Sequence, residues 1–292
     1  MRLTISRRIL RHAVPLAGLA LSAACATFTG GAAAQDMGLT LADPAQAPLP
    51  QVAQSLRADV SRAAPARMLV IGDSLAEGFG AFLQQQTAAR GLPIEVQNWG
   101  RNSSGLARTD FYDWPENFAA RAPDASPDIV VAHFGANDMQ SVIEDDRRTA
   151  LLSDAWDAVY TEQIEGILAT AAAQGAVVYL LGPATDSHTN LNNHLARVNP
   201  LFQAAAEASG AIYFPLRPFT SGPNGEFSRD VVVNGESVRL RTGDGSHFNA
   251  RGYRLVADRI LDDMVARYRV LDAPFTASAV ASVDVVGTLS LQ

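Results

Sequence analysis

The chain has 292 residues, 48% of them hydrophobic and 18% charged, with a formal net charge of −7 and a single cysteine. That size and balance leave room for one packed α/β domain with an ample core. An acidic chain without basic clusters is repelled by polyphosphate and by anionic headgroups, which argues against nucleic-acid binding and electrostatic membrane binding.

Residues 1–34 carry the three-part pattern of an export signal. Arg2, Arg7, Arg8 and Arg11 form the positive segment, Ala13 to Ala24 a short apolar run, and Ala32-Ala33-Ala34 a small-residue cleavage site. Ser6-Arg7-Arg8 hints at a twin-arginine signal, although Leu10 stands where a phenylalanine is usual, so Sec and Tat export both stay open. Removing the signal takes away four arginines and no acid, which carries the formal charge from −7 to −11. The lone Cys25 goes with it, so the mature chain has no disulfide, thiol nucleophile or cysteine-rich metal site. Ser22 stands three places before Cys25, where a lipoprotein signal needs a branched apolar residue, and lipidation is therefore not expected. The reading is a periplasmic or secreted protein with no stable membrane insertion after processing.

Residues 35–65, rich in Ala, Pro, Gln and Asp, read as a linker or surface arm. From Ala66 short apolar runs alternate with helix-length amphipathic ones. Strands are expected at Arg67 to Ile71, Ile94 to Trp99, Ile129 to Phe134, Ala176 to Leu181 and Ala211 to Pro215. Helices are expected at Ala81 to Ala89, Ser153 to Gln174, His194 to Ser209 and Ala250 to Tyr268. The alternation implies a three-layer α/β/α sandwich around a mainly five-stranded parallel sheet, spanning 66–270, with ligands at the carboxyl ends of the strands. Val231 to Leu240, with Asn234-Gly235 at its centre, reads as a small β-hairpin insertion, either a wall of the site or a surface ornament. The tail 271–292 is small, apolar and hydroxyl-rich, too broken for a helix.

Four loops could carry chemistry. Gly72-Asp73-Ser74-Leu75 ends the first strand, where a serine hydroxyl would point into the crevice and its N–H could face developing negative charge. Taken alone, that serine is more often a helix cap or turn residue than a nucleophile. Gly100 to Leu106 is a small polar loop in which Gly105, or Gly100, lets the backbone approach a substrate oxygen. Gly135-Ala136-Asn137-Asp138 offers the Asn137 amide as a donor, or merely a turn asparagine. In Asp244-Gly245-Ser246-His247, a three-residue separation lets the carboxylate reach one imidazole nitrogen while the other faces a nucleophile. No clustered His or Cys accompanies this pair, which lowers a metal reading.

In order and together, these loops resemble the four blocks of the SGNH (GDSL-like) hydrolase superfamily, over essentially all of Ala66 to Tyr268. Ser103-Ser104-Gly105-Leu106, followed by Asp110-Phe111-Tyr112-Asp113-Trp114-Pro115, is similar to a poorly characterised bacterial periplasmic branch of it. The GxSxG elbow of α/β-hydrolases fits less well: Ala76 replaces its last glycine, Ser74 follows the first strand, and Asp244 and His247 share one loop.

The resemblance implies a serine esterase with Ser74 as nucleophile, His247 as base and Asp244 as its orienting acid. The oxyanion hole would comprise the Ser74 and Gly105 N–H groups and the Asn137 side chain, with no metal and no cofactor. Asp73, Asp138, Arg108, Tyr112 and Trp114 are expected to support the site or bind substrate. The aromatic run Phe111, Tyr112 and Trp114 suggests sugar stacking, hence a small-molecule or glycan ester with acetyl as the acyl group, or else ordinary core and lid packing. Two alternatives are a glycan O-acetyltransferase using the same triad and a non-catalytic glycan-binding or envelope assembly protein. Oligomeric state is not legible.

Overall fold

A computed structural model describes residues 48–144 and 147–272. The expected signal, the first part of the arm and the tail from residue 273 lie outside the described residues. Five strands, β1 (Ala66–Gly72), β2 (Ile94–Asn98), β3 (Ile129–His133), β6 (Val177–Gly182) and β7 (Ile212–Pro215), pair in the order β2-β1-β3-β6-β7. Every pairing in this sheet is parallel. Two antiparallel hairpins accompany it: β4 (Val142–Glu144) with β5 (Arg147–Thr149), and β8 (Asp230–Val233) with β9 (Glu236–Arg239).

Helices α1 (Ser74–Arg90) and α6 (Ala250–Arg267) cover one face, burying Phe79, Leu83, Val256 and Ile260 with Val70 and Val131 of the sheet. Helices α2 (Trp114–Ala125), α3 (Asp154–Ala173) and α4 (Thr189–Ser209) cover the other with Trp114, Phe118, Trp156, Tyr160 and Phe202. Strands buried on both sides need apolar residues throughout rather than alternation, which is why the sheet reads as continuous apolar runs. One-turn α5 (Arg217–Thr220) follows β7.

Among the helices, α1, α4 and α2 depart from the sequence expectation, and the β4–β5 hairpin and α5 were likewise unexpected. Helix α1 starts at Ser74 itself, capped by Asp73, whose carboxylate accepts from the Leu75 and Ala76 N–H groups at 2.9 and 3.2 Å. Helix α4 opens at Thr189, ahead of the expected His194. Helix α2 was not expected at all: Asp113 caps it through the Glu116 N–H, Pro115 sits in its first turn, and Trp114, Phe118 and Ala122 form its buried stripe.

The expected hairpin is β8–β9, turning through Asn234 and Gly235 at φ 53° and 85°, the positive values a type I′ turn demands. Residues 48–65 have no helix or strand, yet Val52, Leu56 and Val60 are buried and Arg57 pairs with Asp128. The order in which strands are added reverses at β1: β2 lies outside β1, and the chain then crosses back to β3 on its other side. The carboxyl ends of β1 and β3 therefore flank a topological switch point, where a crevice opens.

Candidate active site

The loops after β1, β2 and β3 all lie at the carboxyl ends of these parallel strands. Gly72, the last residue of β1, adopts φ +133°, and a Cβ there would lie 1.8 Å from the His133 carbonyl oxygen. Only glycine allows β1 to run this close to β3 while turning the next residues into a helix. Ser74 is thereby fixed as the first residue of α1, half-buried, with its N–H at the positive end of the helix dipole.

Its Oγ lies 2.9 Å from His247 Nε2, and His247 Nδ1 lies 2.7 Å from Asp244 Oδ2. The network assigns the ring proton to Nδ1, facing the carboxylate, which leaves Nε2 as acceptor for the serine hydroxyl. Burial alone would raise the Asp244 pKa, but donors outweigh it and hold the group well below the usual carboxylate range. Its Oδ1 accepts from Thr242 Oγ1 at 2.6 Å and from the Ser246 and His247 N–H groups at 3.0 Å each.

This loop is exposed, with side-chain exposures of 42% for His247 and 50% for Asp244, so its shape depends on specific anchors. The main one is Arg241, a residue the sequence reading missed. Fully buried, its guanidinium donates to the Ser246 carbonyl and to the Thr185 carbonyl beyond β6, both at 2.8 Å, and lies 3.9 Å over the Phe248 ring. Burial lowers its pKa to about 10, so the group stays cationic at neutral pH. Ser187 Oγ donates to the Asp244 carbonyl at 3.2 Å, and Arg229, at the base of the β8–β9 hairpin, donates to the Thr242 and Gly243 carbonyls. No sequence spacing signals these contacts.

A second cluster joins the loops after β2 and β3. Asn137 Nδ2 donates to the Ser104 carbonyl at 2.9 Å, which uses one amide hydrogen and leaves the other. Gly105 packs on Asp138 so closely that a Cβ would fall 2.1 Å from Oδ1, whereas Gly100 packs on the α1 backbone at Glu77. Asp138 accepts from the Ala107 N–H at 2.9 Å and from the Tyr160 hydroxyl at 2.8 Å, holding the 104–107 loop against α3. The N–H groups of Ser74 and Gly105 have no acceptor among the described residues.

The remaining expected residues do other things. Trp114 is buried, donating its indole N–H to Ser104 Oγ at 2.9 Å, and its ring is out of reach of a sugar. Tyr112 packs on the Trp114 edge under the Arg101 guanidinium. Arg108 makes a two-pronged pair with Asp110 at 2.7 and 2.8 Å and lies near Gln140. Asp73, besides capping α1, accepts from His133 Nδ1 at 3.1 Å in a buried pair. His133 is thus an interior histidine, although its Nε2 has no partner. Among the described residues no three His, Cys, Asp or Glu side chains are grouped as metal ligands.

The model of the family described as "Protein of unknown function (DUF459)" matches residues 67–263. No curated protein matches. Several solved structures are similar. One is the psychrotrophic esterase EstA from Pseudoalteromonas sp., 15% identical, covering 68% of this chain and 97% of its own at a TM-score of 0.48. Another is LAE5, an α/β hydrolase enzyme from the metagenome of Lake Arreo, 18% identical, covering 69% and 96% at 0.47. A third is a GDSL-like lipase from Bacteroides thetaiotaomicron, 17% identical, covering 68% and 88% at 0.46.

Proposed function

We propose, from the premise that this chain belongs to the DUF459 family, an SGNH-like family, that it is a serine esterase whose nucleophile is Ser74. The observation that carries the reading is the continuous line from Ser74 Oγ through His247 to Asp244, at 2.9 and 2.7 Å, on a helix N-terminus at the sheet's switch point. A binding protein has no need of a hydroxyl hydrogen-bonded to an oriented imidazole.

In the reaction, Ser74 Oγ bonds to the ester carbonyl carbon as its proton passes to His247 Nε2. The carbonyl oxygen becomes an oxyanion facing the Ser74 and Gly105 N–H groups and the second Asn137 amide hydrogen. His247 returns the proton to the leaving alcohol as the C–O bond breaks. Water then attacks the acyl-serine with His247 as base, releasing the acid and restoring Ser74. Asp244, kept ionised by its donors, stabilises the imidazolium formed in each half. No step calls on a metal or a cofactor.

The same residues would transfer an acyl group to a sugar hydroxyl if water were kept out, but half-exposed His247 and Asp244 favour hydrolysis. The N-terminal pattern supports a periplasmic or secreted enzyme. The glycan reading has lost most of its aromatic platform with Trp114 buried, which leaves Phe111 as the exposed ring of that run. Acetylated glycans accordingly share the first assay with p-nitrophenyl acetate. Ser74→Ala should lower turnover of whichever is hydrolysed by at least ~10⁴-fold. Activity that survived in a folded Ser74→Ala protein would refute the assignment.

A further inference from the structure

Three hydrogen-bond donors crowd onto one oxygen beside the nucleophile. Asp73 Oδ1 accepts from the Leu75 and Ala76 N–H groups at 2.9 and 3.2 Å and from His133 Nδ1 at 3.1 Å, while the buried Oδ2 has no partner. A carboxylate has roughly four acceptor sites on its two oxygens, so a group free to turn would share its donors between them. The Ser74 N–H, one residue on, has no acceptor among the described residues and is the donor such a turn would capture. Its capture would take one of three donors out of the oxyanion hole.

What opposes the turn comes from β3. His133 ends that strand opposite Gly72, and its carbonyl accepts from the Asp73 N–H at 3.2 Å, so backbone and side chain of Asp73 are tied to the same residue. Because a carboxylate only accepts, the hydrogen-bond network assigns the ring proton to Nδ1. The other nitrogen, Nε2, has no partner, and the ring is 1% exposed and edge-on to Phe79 of α1 at 5.4 Å. The rest of β3, Ile129 to Ala132, is apolar and buried. A leucine or valine would pack there without leaving a nitrogen bare, so the histidine carries a cost that only its Nδ1–H repays.

We infer that His133 is a positioning residue for the reaction: by donating from Nδ1 it pins the Asp73 carboxylate over the Leu75 and Ala76 N–H groups and keeps the Ser74 N–H free for the oxyanion. It touches neither the substrate nor the reacting atoms. An aspartate makes a good cap for α1, but this one stands beside the place where negative charge develops, so its orientation bears on catalysis as well as on the helix. The inference rests on the esterase reading.

The test compares the native protein with His133→Phe, His133→Asn, Asp73→Ser and the double variant Asp73→Ser/His133→Phe in p-nitrophenyl acetate hydrolysis. Active sites are counted by the p-nitrophenol released as diethyl p-nitrophenyl phosphate phosphorylates Ser74, so kcat refers to folded enzyme alone. His133→Phe keeps a ring against Phe79 but has no donor; kcat should fall about tenfold with KM unchanged, less than the loss of a whole oxyanion donor brings. His133→Leu repeats this cut with a smaller side chain. An asparagine places its Nδ2 where the imidazole has Nδ1, so His133→Asn should restore kcat to within about twofold of native. Asp73→Ser keeps a helix cap but leaves no carboxylate to turn, and adding His133→Phe to it should change kcat by less than about twofold. Inhibition by a trifluoromethyl ketone, whose oxygen enters the hole once Ser74 has added to it, should weaken in His133→Phe by the same factor as kcat.

Native kcat per active site in His133→Phe overturns the proposal. So does a loss that His133→Asn shares in full, a loss carried by KM, or an equal loss in the Asp73→Ser background. A native protein that neither hydrolyses the ester nor is phosphorylated at Ser74 removes the esterase reading itself, and the positioning role falls with it.

Discussion

Two aspartates flank Ser74 and ionise in opposite directions. Asp244 stands in an exposed loop, where donors from Thr242, His247 and Ser246 keep it an anion well below the usual carboxylate range. Asp138 is fully buried; desolvation raises its pKa to about 6 against the pull of the Ala107 N–H, the Tyr160 hydroxyl and the Leu106 N–H, with the nearby Asp73 charge adding to the rise. The pair teaches how one crevice divides its labour. On the proposed mechanism, the carboxylate that meets a transient cation is left near water and surrounded by donors, whereas the one that holds a loop is buried where its charge is a burden.

The sharpest way to break the comparison is at the exposed acid. Asp244→Asn keeps the shape but no longer fixes the His247 tautomer, and kcat should fall by roughly 10³–10⁴-fold. A folded variant with near-native kcat would show that Asp244 merely shapes the loop. On the buried side the equivalent cut is Asn137→Ala, which removes a donor to the oxyanion and should lower kcat by ~10²-fold with little change in KM. A raised KM with kcat unchanged would make Asn137 a ground-state binding group instead.

The two sides also differed in how far the sequence disclosed them. Five apolar runs bounded by Gly, Pro and polar residues reveal the sheet because strands buried on both faces leave no other pattern. Ser74, Gly105, Asn137, Asp244 and His247 stood out as candidates through the resemblance of their four blocks, each after a strand or before a helix. What props them is not. Arg241 reaches the Thr185 carbonyl across 56 residues, and Tyr160 reaches Asp138 across 22, pairings no local spacing records. A run of aromatics says nothing about which ring points inward, so Trp114 could stack on a sugar or pack in the core, and it packs; the Asp113 cap and Pro115 were the available signal that a helix began there. The start of α1 was hidden by Gly78 and Gly80, poor helix formers kept because Tyr253 and Asn98 pack where a Cβ would stand.

Arg241 gives the next, smaller test on the exposed side. Arg241→Met fills similar space but leaves the Ser246 and Thr185 carbonyls without their donor, so the loop carrying His247 should wander. We expect kcat to fall about tenfold with KM held, the signature of a misplaced base rather than a lost binding group. If kcat in the folded variant matched the native value, Thr242, Ser187 and Arg229 would suffice to hold the loop.

The smallest effect separates the two aspartates by stability alone. A carboxyl whose folded pKa is raised binds its proton more tightly in the native state, so its contribution is greatest below the unfolded value near 4 and is lost as pH rises through about 6. Asp244 runs the other way: its contribution is present above the ordinary carboxylate value and is lost as pH falls. Asp138→Asn keeps an oxygen for the Ala107 N–H and carries no charge, so the difference in Tm between native protein and variant should move in favour of the native protein as pH is lowered from 7 to 4. A shift of a few degrees is expected, since ~1 kcal/mol moves Tm by about 2–4 °C in a chain of this size. For Asp244→Asn the same difference should move against the native protein at the acid end. Parallel curves for the two variants would mean that Asp138 is solvated in the folded protein, and the contrast between a buried brace and an exposed, donor-held carboxylate would fail at its first term.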